Sequence, residues 1–460
     1  MSKRHPQAFT GSESPAPSIR ALQEATNEAS RYPLNVEAYK HLGYEDIPYE
    51  RYTSPEFFQR EMDKVWTKTW QWACREENIR EVGDYVVYDI GKYSILVVRS
   101  AADEIKAFYN SCMHRGTKFS HSFTSGHRQQ IACPYHGWSW HLDGSIREIP
   151  NRWDFSHVDD ESFRLREVQV GTWAGFVFIN MDPDAESLES YLGVAPDHFK
   201  NWNMDSRYTT IHIQKELPCN WKSAMEAFME NYHTRVVHPQ LMITSSGPST
   251  QYDLFGKHLS RFLALTAVAD PDFEGELTEA EKLDTMLMGD RSLAAGGPKI
   301  KDGATARATM ADYLRQHFDK DLDVEVGDLT DSEILDTIEY TLFPNMFLFP
   351  GLSLPMIYRF RPMDNDPDRS LFDLLYLRPI PRSGEHPHSA EPVRIGVGES
   401  YADVPGMDPG MGHVYDQDTD NLDLQQQGFH TSAKAGGTMG NYQEIRIRHF
   451  HQTLDKYLNG

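Results

Sequence analysis

Cysteine is scarce in this chain: 460 residues hold four, Cys74, Cys112, Cys133 and Cys219. That is too few for a disulfide scaffold and excludes the small secreted folds that depend on one. Basic residues are outnumbered, 45 Lys and Arg against 68 Asp and Glu, and the net charge of −23 speaks against a nucleic-acid or anionic-membrane partner. No apolar run is long enough to cross a bilayer, and "MFLFPGLSLPMIY" is broken by Pro350 and Pro355. The N-terminal "MSKRHPQAFTGSESPAPSIR" has no apolar segment behind its basic residues and so lacks the form of a secretory signal. A G-x-G-x-x-G stretch is missing too, which places any NAD(P)H or flavin chemistry on another protein. These absences leave a soluble cytoplasmic chain with room for two or three domains, where clustered cysteines point to metal before cross-links.

Half of the cysteine lies in one stretch, "NSCMHRGTKFSHSFTSGHRQQIACPYHGWSW". Each cysteine has a histidine close behind it, Cys112-x-His114 and Cys133-x-x-His136, with 18 residues between the two groups. Two thiolates and two imidazoles suit structural zinc or a [2Fe–2S] cluster. Zinc fingers set their cysteines together and their histidines together. One Cys and one His per loop suits a Rieske centre, where the cysteines hold one iron and the histidines the other. Gly116 and Gly137 permit tight turns behind the ligands, and Pro134 stiffens the second loop. His121, His127 and His141 stand without partners at ligand spacing and read as surface or supporting residues.

Around this stretch the texture is short strands, "DYVVYDI", "YSILVVRS" and "KAFYN", separated by turn signals. The expected order is a polar extension over 1–45, an all-β domain over 46–165, and a mixed second half from 166, opened by the strand "GTWAGFVFINMDPD". Within the second half, 270–335 is charged and interrupted and reads as a mobile insertion, either a lid or arm or a solvated surface loop. In it, Thr278-x-x-Glu281 predicts a capping box and Gly289 a helix stop. Ile447, Phe450, Leu454 and Leu458 fall on one face of a predicted C-terminal helix.

A second candidate is "CNWKSAMEAFMENYHTRVVHPQL", predicted helical over 218–237. Glu226, Glu230 and His233 stand at i, i+4 and i+7 and so share a helix face. His238 precedes Pro239, which pushes it out of the helical region and lets both imidazoles converge. Two histidines and a carboxylate with open positions form the facial triad of non-haem Fe(II) oxygenases; a packed structural helix is the alternative.

"CMHRGTKFS…CPYHGWSWHLDGSIREIP" and "NWKSAMEAFMENYHTRVVH" together resemble the Rieske-type non-haem iron oxygenases, the large (alpha) subunits of aromatic-ring-hydroxylating systems. The resemblance covers about residues 45–455 and includes "TLFPNMFLFPG" as a pocket strand. It implies an α+β chain: an all-β Rieske [2Fe–2S] domain, plus a catalytic domain with an antiparallel sheet and helices of helix-grip form. By this resemblance Cys112, His114, Cys133 and His136 bind the cluster, and His233 and His238 bind a mononuclear Fe(II). Glu230 bridges toward the cluster of a neighbouring subunit. "VYDQDTDNLDLQQQG" resembles the segment supplying the third ligand, by position Asp418 ahead of Asp416 and Asp420, which read as a solvated helix start. Ala227 departs from the pattern, standing where many relatives carry asparagine.

The implied activity is a terminal oxygenase that inserts oxygen from O2 into an aromatic or other hydrophobic substrate, by dihydroxylation or by monooxygenation and dealkylation. A separate ferredoxin, an NAD(P)H-dependent reductase, or both would feed it, within a homotrimer or an assembly of three alpha and three beta subunits. The rival is a Rieske-type electron carrier without oxygenase chemistry. Residues 99–150 hold six basic and four acidic side chains, a patch suited to steering an acidic donor.

Overall fold

Ile95, Leu96, Val97 and Val98 are all fully buried. Successive side chains of a strand point to opposite faces, so the strand Tyr93–Ala101 is covered on both sides. It lies inside an antiparallel seven-stranded sheet in the order Gln71–Arg75, Phe176–Asn180, Glu167–Trp173, Glu104–Tyr109, Tyr93–Ala101, Asp84–Ile90, Ser125–His127. A smaller antiparallel sheet joins Ile131–Ala132, Ser139–Trp140 and Ile146–Glu148. The structure is a computed structural model describing residue 14 and residues 16–26, 28–287, 297–383 and 386–460.

Two compact units result. One is Gln59–Tyr191 with Pro362–Asn365; the other takes the described residues up to Phe58, Leu192–Arg361 and Asp366–Gly460. The expected boundary at 165 is therefore corrected. "GTWAGFVFIN" does not open the second half. It belongs to a hairpin turning at Ala174 and Gly175, both at positive φ, whose return strand pairs with Gln71–Arg75. The boundary at 45 moves as well, because residues up to Phe58 group with the catalytic unit; residues 1–13 lie outside the described residues. The 18-residue spacer between the Cys/His loops carries the edge strand Ser125–His127, paired with Asp84–Val86.

The second unit is built on an eight-stranded sheet: Gln251–Phe255, Leu259–Ala264, Thr337–Leu342, Met346–Leu348, Met356–Met363, Asp366–Pro379, Arg207–Leu217 and Val393–Ile395. The last strand is parallel to its neighbour. Sheet and helices together make the chain α+β. The C-terminal helix Ile445–Asn459 buries Ile447, Phe450, Leu454 and Leu458, as the 3.6-residue spacing predicts.

Between 270 and 335 the described helices pack on one face, while residues 271–276 are mostly exposed. Helices Glu279–Leu287, Ala306–Gln316 and Asp331–Leu335 bury Leu283, Met310, Leu314 and Leu335. Arg307 is buried between Glu28 at 2.7 Å and Asp336 at 2.6 Å. The solvated-loop reading is thus corrected for these helices, whose apolar positions meet a core, while residues 271–276 are a largely exposed stretch. The Thr278/Glu281 capping box forms reciprocally; the predicted stop at Gly289 lies outside the described residues.

Candidate metal centres

The two Cys/His loops are matching turns. Gly116 N–H donates to the Cys112 carbonyl at 2.9 Å, and Gly137 N–H to the Cys133 carbonyl at 3.1 Å. The thiol residues are held in turn, Cys112 N–H on Thr117 O and Cys133 N–H on Trp138 O. Gly116 and Gly137 sit at φ +79° and +77°, a left-handed conformation that a Cβ disfavours. Cys112 and Cys133 belong to the hydrophobic core with Phe108, Phe119, Trp138 and Trp140. Burying one such aromatic contributes about 2–3 kcal/mol, so the loops are anchored from beneath.

The imidazoles of His114 and His136 lie 4.7 Å apart, and His114 stacks on Trp138 at 4.8 Å. Both Nδ1 atoms are buried with no hydrogen-bond partner among the described residues. Buried polar atoms are normally satisfied, and two orphaned Nδ1 atoms beside two buried thiols fit the donor set of a Rieske cluster. Burial first, and then the Cys133 thiol alongside, pushes the Cys112 thiol up to about 11. Iron is what would draw the thiolate form there.

The second group forms where the predicted helix fails to continue. Instead of one helix over 218–237 there are two short ones, Trp221–Glu226 and Thr234–Val237, with a non-helical link. The single shared face of Glu226, Glu230 and His233 is corrected accordingly. Glu226 turns away, its carboxylate on Tyr52 OH at 2.9 Å and His451 Nε2 at 2.7 Å. Glu230 stays with His233: Oε1 is 2.7 Å from Nδ1, and Oε2 accepts the His233 amide at 3.0 Å. His238, at φ −122° and ψ 58°, has left the helix ahead of Pro239, as the pre-proline clash requires.

Asp418 arrives from the helix Pro409–Asp420 and is buried. Its Oδ1 lies 2.6 Å from His238 Nε2 and 3.3 Å from His233 Nε2. One ligand atom from each of His233, His238 and Asp418 can be chosen so that all lie within 4.8 Å of one another. The outer nitrogens are spoken for, His233 Nδ1 by Glu230 and His238 Nδ1 by Gln417 Oε1 at 3.0 Å. With each Nδ1 turned outward onto its oxygen partner, both Nε2 atoms face one point, the arrangement a 2-His-1-carboxylate site needs. Burial alone would lower the His233 imidazole, but Asp418 and Glu230 reverse it and push it up to about 10. Burial would raise the Asp418 carboxyl, yet the two histidines hold it below the usual carboxylate range.

The family profile described as "Ring hydroxylating alpha subunit (catalytic domain)" matches residues 197–460, more than half of the chain. The chain belongs to that family. A second profile, "Rieske [2Fe-2S] domain", matches residues 69–158. Similar chains of known name include the carnitine monooxygenase oxygenase subunit of Escherichia coli (strain K12), 34% identical over 203 residues, 42% of this chain and 52% of that one. The benzene 1,2-dioxygenase subunit alpha of Pseudomonas putida is 32% identical over 188 residues, 40% of this chain and 42% of that one. The chain thus spans about half the length of the curated relatives it matches. In fold it resembles a quaternary ammonium Rieske monooxygenase, with a TM-score of 0.64 at 18% identity, covering 92% of this chain and 99% of that one. It also resembles naphthalene 1,2-dioxygenase with bound indole, with a TM-score of 0.62 at 18% identity, covering 93% and 94%.

For a ring-hydroxylating alpha subunit, the structure brings the eight named residues into two groups. Cys112, His114, Cys133 and His136 gather on facing loops, while Glu230, His233, His238 and Asp418 gather around the broken helix. Asp416 is elsewhere, accepting from Tyr401 N–H at 3.0 Å, and Asp420 is exposed. Both lie toward the end of their helix, which corrects the helix-start reading. Gln417, Tyr252 and Arg446 went unnoticed in the sequence. Gln417 had a signal, its place beside Asp418; Tyr252 and Arg446 had none.

Proposed function

We propose that this chain is the oxygenase component of a multicomponent system, passing electrons from a cluster on Cys112, His114, Cys133 and His136 to an iron on His233, His238 and Asp418. When bound, the two centres supply one-electron transfer and the reductive activation of O2. The observation that carries this reading is the convergence of His233 Nε2 and His238 Nε2 on Asp418 Oδ1 in a chain that also holds the paired Cys/His loops.

The chain's own residues have definable tasks. Glu230 and Gln417 hold the outer imidazole protons and so keep each ring in the tautomer whose Nε2 faces inward. Beside the helix that carries Asp418 lies an aromatic cluster: Phe228 packs on Tyr358, Phe360 and Phe372 at 5.3–5.5 Å. Tyr415, one helical turn before Asp418, hydrogen-bonds Tyr358 at 2.8 Å. Such surroundings exclude water and favour an aromatic or otherwise hydrophobic substrate. Ala227 puts a methyl group, with no amide to offer, in the link just ahead of Glu230.

A separate ferredoxin, an NAD(P)H-dependent reductase, or both supply the electrons. The working unit is a trimer of this chain, alone or with three small beta subunits, in which Glu230 couples one subunit's iron site to its neighbour's cluster. The compartment is the cytoplasm; no helix among the described residues is long and apolar enough to cross a membrane. Reaction of the reconstituted system with isotope-labelled O2 and a panel of aromatics and quaternary amines tests the activity. Product carrying one or two labelled oxygens supports it; cluster turnover with no labelled product from any substrate contradicts it.

A further inference from the structure

Giving up the helix between Ala227 and His233 frees backbone groups that must find partners elsewhere. In a continuous helix the His233 amide would donate to the Met229 carbonyl, four residues back. Here it donates to Glu230 Oε2 at 3.0 Å, and the Tyr232 amide uses the same oxygen. The Met229 carbonyl is occupied: Arg446 Nη1 donates to it at 3.0 Å.

Arg446 comes from the C-terminal helix and is fully buried. Its Nε donates to Ser260 Oγ at 3.2 Å, its Nη2 to Thr341 Oγ1, and its Nη1 lies 2.8 Å from Glu339 Oε1. The guanidinium is therefore fixed by two sheet strands and the Glu339 charge, and its planar fork is pre-set before it meets Met229. A second freed group is treated the same way. The Asn231 amide donates to the hydroxyl of fully buried Tyr252 at 3.1 Å, and Asn231 Nδ2 reaches Ser245 Oγ at 3.2 Å and Thr250 Oγ1 at 2.9 Å. The backbone there lies so close to Gly247 that a Cβ on that glycine would sit 2.8 Å from Asn231 O.

We propose that Arg446 and Tyr252 are positioning residues for the Glu230–His233 pair, Arg446 by withdrawing the one backbone carbonyl that competes with the Glu230 carboxylate for the His233 amide. Neither residue touches the metal position. They act through the link, holding it out of helical form so that His233 and His238 face the same point. Without Arg446 the Met229 carbonyl is free to take back the His233 amide, the helix extends, and His233 Nε2 swings away from Asp418. The inference rests on the reading of His233, His238 and Asp418 as an iron site.

The test uses full-length protein with its cluster loaded and measures Fe(II) affinity by competition with a chelator. Near-infrared magnetic circular dichroism reads the ligand field of the ferrous site. Arg446→Met is expected to weaken Fe(II) binding by about 10- to 100-fold, the range typical when the support of a metal-ligating histidine is lost. It should also shift the ligand-field bands, while the cluster spectrum stays as in the wild type. Arg446→Lys keeps a cationic donor and should restore most of the affinity. Tyr252→Phe, which fills the same space, should shift the same bands with a smaller loss. Wild-type affinity and bands in folded Arg446→Met overturn the inference; should that variant not fold, the same result in Tyr252→Phe overturns it. His233→Ala is the control: unchanged Fe(II) affinity there would sink the iron-site reading itself, a distinct failure.

Discussion

The two candidate centres are built from the same kinds of donor by opposite means. In the cluster loops, each cysteine and its histidine lie two or three residues apart, and each turn closes on its own glycine. At the mononuclear site, His238 and Asp418 are separated by 180 residues and meet at 2.6 Å only because a helix from late in the chain delivers the carboxylate. The first centre depends on local turn geometry above an aromatic core. The second depends on a helix being interrupted, and the interruption is sustained by residues from three other elements. A locally closed site should tolerate distant change and fail at its own turns; a site assembled at long range should do the reverse.

The largest effects should come from the ligands and should separate cleanly. Cys112→Ser is expected to abolish the cluster absorption, and Asp418→Ala to abolish mononuclear iron, each with complete loss of oxygenation but without loss of the other centre. Loss of both metals in either variant would dissolve the comparison. Acid should next distinguish the two units. His198 is buried in the catalytic unit with Nδ1 3.2 Å from Tyr340 OH. Burial, aided by Arg261, lowers it from 6.5 to about 4. A base held low in the folded state contributes stability above pH 6.5 that is lost as pH falls toward 4, about 3 kcal/mol here. Denaturation followed against pH should show that loss in the catalytic unit, and His198→Gln should flatten it.

Of intermediate size is Gln417→Ala, which strips the partner from His238 Nδ1 and should weaken Fe(II) by about 10- to 100-fold, with cluster content unchanged by iron and sulfide assay. Smaller again are the glycines. Gly137→Ala places a Cβ 3.5 Å from its nearest neighbour, so its cost is the left-handed backbone alone, about 1–2 kcal/mol, read as faster cluster loss. Gly247→Ala should instead disturb the iron site, through its clash with Asn231 O. The least effect is that of salt on cluster reduction. Lys106 is paired with Glu167 at 2.5 Å and Lys118 lies 3.7 Å from Asp89, so two of the six basic side chains are offset within their own unit and the steering left to be screened is reduced.

Legibility in the sequence follows the same division. The Cys/His loops and their turns could be read directly, since C-x-H and C-x-x-H with following glycines encode their own geometry. The strands of the first unit and the C-terminal helix were legible through periodicity. His238 leaving the helix followed from Pro239. The broken helix was not legible: "WKSAMEAFMENYHTRVV" contains no proline or glycine, and the break is stabilised by Arg446 and Tyr252, which local propensity cannot see. Asp418 came from family resemblance, because no spacing rule links it to His238. The hairpin of residues 167–180 falls outside the unit its sequence position suggests for a related reason. Its pairing with Gln71–Arg75 crosses about a hundred residues, and strand pairing at that range leaves no mark on either segment.

Whether the two centres are separate and differently built is decided by counting iron in His233→Ala. The wild-type chain should hold about three irons, two in the cluster and one in the mononuclear site. His233→Ala should retain about two, with an unaltered reduced-cluster electron paramagnetic resonance signal and no ferrous ligand-field bands. A bleached protein, or one that keeps all its iron, would contradict the division of ligands between the two centres.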